Sequence, residues 1–162
     1  MKKLAILMSL FLCGTVLAKA QVDPFEKLMD MKGVTTVYIS KAMLGMMTNM
    51  DSKNIPMVEG VDIGEVVKKL TSVTVLTSES SDAVKALQKL ATDIKGNKAY
   101  EQLMFAKKDE TKATIYVKEL KDKESEMIMI IDDGSSEKTS TIIRLTGTML
   151  LADIQKIAAE KK

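Results

Sequence analysis

The sequence predicts an α+β domain: a largely antiparallel sheet of about six strands, ending in a four-strand meander, with helices packed on the sheet. Three observations predict it. Up to Gly96, apolar residues at helical spacing alternate with β-branched runs. Extended runs then follow one another at Glu101–Ala106, Ala113–Glu119, Glu126–Asp132 and Ser140–Gly147. The gaps between them are short and polar, which suits hairpins, because parallel strands need longer crossovers.

The elements read in order as follows. Lys2 and Lys3 precede an apolar run from Leu4 to Leu17, and Ala18-Lys19-Ala20 offers an A-x-A cleavage site. Residues 1–20 therefore read as a secretory signal peptide, too short in its apolar part for the roughly 20 residues of a spanning helix. Residues 21–162 form a single domain, with no repeat, coiled coil or Gly/Ser linker. Asp23-Pro24 starts a short helix with Phe25, Leu28 and Met29 on one face, and Gly33 ends it. Val34–Ile39 is a strand by its β-branched and aromatic content. Ser40 caps a helix bearing Met43, Met46, Met47 and Met50 at spacings of 0, 3, 4 and 7. Asp51–Gly60 reads as a loop, and Asp62 as the cap of a short helix through Val66, Val67 and Leu70.

Ser72–Thr77 is the second strand. Ser80-Ser81-Asp82 opens the clearest helix, with Ala83, Val84, Leu87, Leu90, Ala91 and Ile94 on one face and Gly96 at its end. In the meander, Ala113, Ile115 and Val117 alternate with Thr114, Tyr116 and Lys118, as on a half-buried strand. Met127–Ile131 is apolar on both faces and so the most buried strand. Leu150, Ile154, Ile157 and Ala158 repeat at helical spacing to close the domain.

Composition excludes much chemistry. The chain has no His, so no imidazole base and no His-ligated metal. Its lone Cys13 lies in the leader, which rules out thiol redox chemistry and disulfides in the mature domain. The formal charge is +2, but loss of Lys2, Lys3 and Lys19 leaves 21 basic against 22 acidic residues, a net of −1. No electrostatic case for a nucleic-acid partner remains. Cys13 has a second reading as a lipidated cysteine, the one route to membrane anchoring, although Leu12 stands where a lipoprotein signal wants a small residue.

Several segments resemble the DUF4252 family of uncharacterised exported Bacteroidetes proteins. They are Phe25-Glu26-Lys27-Leu28, Val37–Leu44, Leu70–Val73 with Leu76–Glu79, and Ile143–Met149 followed by Asp153-Ile154. The resemblance spans nearly all of the mature chain and rests on structural rather than catalytic motifs. It implies no catalytic residues. It also implies lipoprotein relatives, and an envelope-response setting near extracytoplasmic sigma-factor regulators.

Each candidate for chemistry has an ordinary structural reading beside it. The methionines Met43, Met46, Met47 and Met50 form either a core face or a partner-binding face, and their thioethers are soft enough for Cu(I). Ser135-Ser136-Glu137-Lys138 matches S-x-x-K but falls in a turn, not at a helix start. Asp132-Asp133-Gly134 lacks the spacing of a calcium loop. Gly60 and Gly64 make no phosphate loop. The expectation is therefore an exported, non-enzymatic binding or interaction module of the periplasm or outer envelope, without cofactor. Its partner would be a protein, a peptide or an envelope component, met through a sheet edge or the methionine helix. Two alternatives stand beside it: a small-molecule or Met-based copper binder, and a carboxylate-based hydrolase. An open sheet edge over a closed core favours the first reading, an internal cavity the second, and a pocket of converging Asp and Glu the third.

Overall fold

A computed structural model describes residues 23–47, 67–133 and 138–148. Asp23 caps helix α1 (Pro24–Met29), its Oδ1 accepting from the Phe25 amide at 3.0 Å. Gly33, at φ +83°, turns the chain into β1 (Val34–Ser40), a backbone angle that favours glycine. Ser40 Oγ accepts from the Met43 amide at 3.4 Å and starts α2 (Lys41–Met47). Strand β2 (Leu70–Ser78) leads into α3 (Ser81–Gly96), whose cap Ser80 accepts from the Ala83 amide. Then come β3 (Glu101–Lys108), β4 (Thr111–Glu119), β5 (Ser125–Asp133) and β6 (Lys138–Gly147), with a short 3-10 turn at Lys121–Lys123.

The six strands form one sheet in the order β1-β2-β6-β5-β4-β3, with every neighbouring pair antiparallel. The expected α+β class and the β3–β6 meander are both present. Helix α3 carries the chain from β2 to the far edge and lies across β6 and β2. Strand β5, holding Met127–Ile131, sits between β4 and β6 and is buried from both faces: Ile128 and Ile130 on one side, Met127 on the other.

Two apolar clusters flank the sheet. Beneath α1 and α3, Phe25, Leu87, Leu90 and Ile94 pack on Leu76, Ile128, Ile130 and Ile142. On the other face Leu44 and Val67 meet Leu70, Val73, Ile115 and Met127. Burial of each large side chain stabilises the fold by about 1.5–3 kcal/mol. Helix α3 buries Ala83, Leu87, Leu90, Ala91 and Ile94, the face its spacing predicted, with Val84 at the margin. At the end of β6, a Cβ on Gly147 would come within 2.7 Å of Leu70 Cα. Glycine there lets β6 close on the first residue of β2, and the Thr148 amide then donates to the Lys69 carbonyl at 2.9 Å.

The structure corrects one element. Leu70 opens β2 and does not end a helix, because the ladder to Gly147 claims its backbone. The meander strands also run further into their turns than expected: β3 takes in Lys107 and Lys108, and β4 takes in Thr111 and Lys112. The exposed Lys107 and Lys108 and the half-buried Lys112 leave the ladder intact. Several expected features lie outside the described residues: the leader with Cys13, Ala18 and Ala20, the loop at 51–60, Met50, the glycines Gly60 and Gly64, residues 134–137 of the S-x-x-K segment, and the closing helix at 150–158.

Candidate functional site

The sheet has two edges of different chemistry. Edge strand β3 carries Glu101, Lys107 and Lys108, and its register shifts between Gln102 and Met104. Charges and an irregularity of this kind discourage pairing with another chain. Edge strand β1 has none of these features. Its seven residues, Val-Thr-Thr-Val-Tyr-Ile-Ser, hold no charge and no proline, and all seven pair in unbroken register with β2. Val37 is 47% exposed and Tyr38 55% exposed. Thr35, Val37 and Ile39 lie on the face of Leu44's cluster, while Val34, Thr36 and Tyr38 lie on the face of α1 and α3.

Helix α2 follows β1 directly and packs against β1 and β2. Among its described side chains, Leu44 is the one buried against the sheet, at 3% exposure. Met43 and Met46, three apart and so on one helical side, are 53% and 65% exposed. Of the four methionines read as a core or partner-binding face, these two stand in solvent. Met47 ends the helix, and its side chain and Met50 lie outside the description. The 0-3-4-7 spacing passed over Leu44 because a seven-residue helix laid across two strands touches them along one short line. Val37, Tyr38, Met43 and Met46 thus fall within ten consecutive residues at one margin of the sheet.

A second feature is a polar cleft of about 390 Å³ between α1, the end of α3 and strands β4 to β6. At its floor lies Arg144, the chain's single arginine. Its Nη1 donates to Asp23 Oδ2 and stands 3.7 Å from Glu126 Oε1, and the guanidinium lies 4.3 Å from the Phe25 ring centre. Glu126 is buried; its Oε2 accepts from the Tyr100 hydroxyl at 2.7 Å and lies 3.8 Å from Lys118 Nζ. Lys118 Nζ also sits 5.2 Å from the Tyr100 ring centre. Burial, then the bond to Glu126, pushes the Tyr100 hydroxyl well above its ordinary pKa. Asp23 and Glu126 do converge, but on one guanidinium, and Tyr100 and Lys118 take up the rest of Glu126. The arrangement ties α1 to β5 and β6.

Nothing in the sequence reading singled out this network. One signal was present: a lone arginine inside the apolar run Ile142-Ile143-Arg144-Leu145. A buried guanidinium needs carboxylate partners. Asp132, expected to close the strand Glu126–Asp132 and open the turn, lies in β5, where it accepts from Thr139 Oγ1 at 2.8 Å and pairs with Lys95 at 3.5 Å. Among the described residues, no three acidic or thiol side chains gather as a metal would require.

No curated protein and no solved structure matches the chain. Residues 25–157 do match a family described as a domain of unknown function, DUF4252, and the chain therefore belongs to that family.

Proposed function

We propose that this protein is an exported, envelope-associated interaction module that acts by binding and not by catalysis, through the margin formed by β1 and α2. One observation carries the reading: an uncharged, unbroken edge strand is followed at once by the exposed pair Met43 and Met46. A bare edge offers main-chain donors and acceptors to an extended segment, and flexible thioethers adapt to an apolar partner. The contrast with β3 strengthens it, since the same fold guards its other edge with lysines and a register shift. Export rests on the leader at residues 1–20.

The converging Asp23 and Glu126 favour a second reading, the carboxylate-based hydrolase. A general acid must hold a transferable proton toward substrate. Both carboxylates here are turned to Arg144, and Glu126 also accepts from Tyr100. That arrangement suits a structural tie better than acid–base work.

The test is recovery of envelope proteins by the immobilised full chain and by its Val37→Lys variant. The reading expects recovery to fall at least about ten-fold, as for a central interface position. Equal recovery by both chains would overturn it.

A further inference from the structure

We propose that β1 pairs with β1 of a second copy of this chain, antiparallel and centred on Val37, joining two six-stranded sheets across a two-fold axis. The inference rests on the reading of the β1 margin as the interaction surface and names the occupant. The first argument is charge. Antiparallel self-pairing sets each residue against the one at mirror distance from the strand centre. Strand β1 holds no charge over its seven residues, so no like-charge pair opposes its self-pairing.

Register is the second argument. About Val37 the pairs are Val37 with Val37, Thr36 with the second copy's Tyr38, Thr35 with its Ile39, and Val34 with its Ser40. Six of the seven residues are β-branched or aromatic, the types that fit a pleated ladder. The half-exposed Val37 gains its own counterpart. Tyr38 gains Thr36 opposite and the second copy's Tyr38 on the diagonal, within reach of an aromatic ring. A contact built on one residue's own image is isologous, so it closes at two copies and leaves β3 as the outer edge on both sides.

One strand and the start of one helix make a small interface, below about 1,200 Å² in total, so the dimer forms in proportion to concentration. The register is directly testable because the chain's only cysteine can be removed. Full chain carrying Cys13→Ser serves as the background. Across a two-fold at Val37, facing Cα atoms lie about 4.5 or 5.5 Å apart, both within the span of a disulfide. Val37→Cys should therefore give at least about ten-fold more disulfide-linked dimer than Thr92→Cys, placed on the exposed side of α3. Thr36→Cys alone faces itself only on the diagonal, about 7–8 Å away, and should link poorly, but should link well when mixed with Tyr38→Cys. Sedimentation of the unmodified chain should show mass rising toward two copies with concentration.

A chain that stays monomeric at every concentration, with Val37→Cys linking no better than Thr92→Cys, would overturn self-pairing. If Val37→Lys still loses envelope recovery in that case, the margin remains the interaction surface and only the occupant is wrong. If it does not, both fall together.

Discussion

Val37 is paired with Val75 on one flank of β1, and no described strand lies on its other flank. The two valines face the same side of the sheet, yet Val37 is 47% exposed because β1 is the last strand. A β-branched residue placed there adds little to the core of one chain. It is well suited to a ladder that continues beyond it.

Removing the guanidinium while leaving its partners should be costly. Arg144→Met strands buried Glu126 and half-buried Asp23 without their shared cation. A loss of about 3 kcal/mol is expected, visible as a lowered urea midpoint with unchanged slope. Restoring part of it with Glu126→Gln in the same chain would show that the unpaired carboxylate, not lost packing, caused the damage.

Thr74 is the cross-strand neighbour of Arg144, and its Oγ1 is fully buried without a protein hydrogen-bond partner. Valine has nearly the same shape and nothing to desolvate. Thr74→Val should leave stability unchanged or raise it by up to about 1 kcal/mol, measured in the same urea titration.

Tyr100 gives a pH dependence with a definite sign. Its folded pKa is raised above the ordinary 10.0, chiefly by burial and then by Glu126. The unfolded chain loses this proton near pH 10 while the folded chain keeps it, so stability is complete below that pH and falls as pH rises further. Thermal midpoints between pH 8 and pH 11, on the order of the range where tyrosine and lysine titrate, should fall more steeply for the unmodified chain than for Tyr100→Phe.

Processing has a direct readout. Intact mass of protein recovered from the envelope should correspond to residues 21–162, beginning at Gln21. A mass corresponding to a chain that begins at a lipid-bearing Cys13 would contradict this.

The parts of the fold that were legible in the sequence are those set by neighbours in the chain. Asp23-Pro24 and Ser80 announce their helices, and both caps are made. The doubly apolar Met127–Ile131 identifies a central strand, whereas the alternation of Ala113 to Lys118 gives a strand but not its burial, since Thr114 and Tyr116 are buried along with Ile115. What was not legible depends on partners far apart. The neighbour of β2 is β6, and Val73 meets Leu145 only because α3 spans the sheet and the meander returns. The Arg144–Asp23 contact joins residues 121 apart. Leu70 was misplaced because Val66, Val67 and Leu70 fit a helical face as well as a strand start. The methionine face could be read as core or as surface, since periodicity shows that residues share a side and not which side is covered.

Amide hydrogen exchange, followed by mass spectrometry, tests the central claim most directly. The full chain would be compared when dilute, when concentrated, and with recovered envelope proteins added. The account predicts slowed exchange across residues 34–47, the span of β1 and α2, in one of the last two conditions. Unchanged exchange there, with slowing instead at Asp23–Phe25, Asp93–Asn97 and Lys118–Glu126, would move the binding surface to the polar cleft and contradict it.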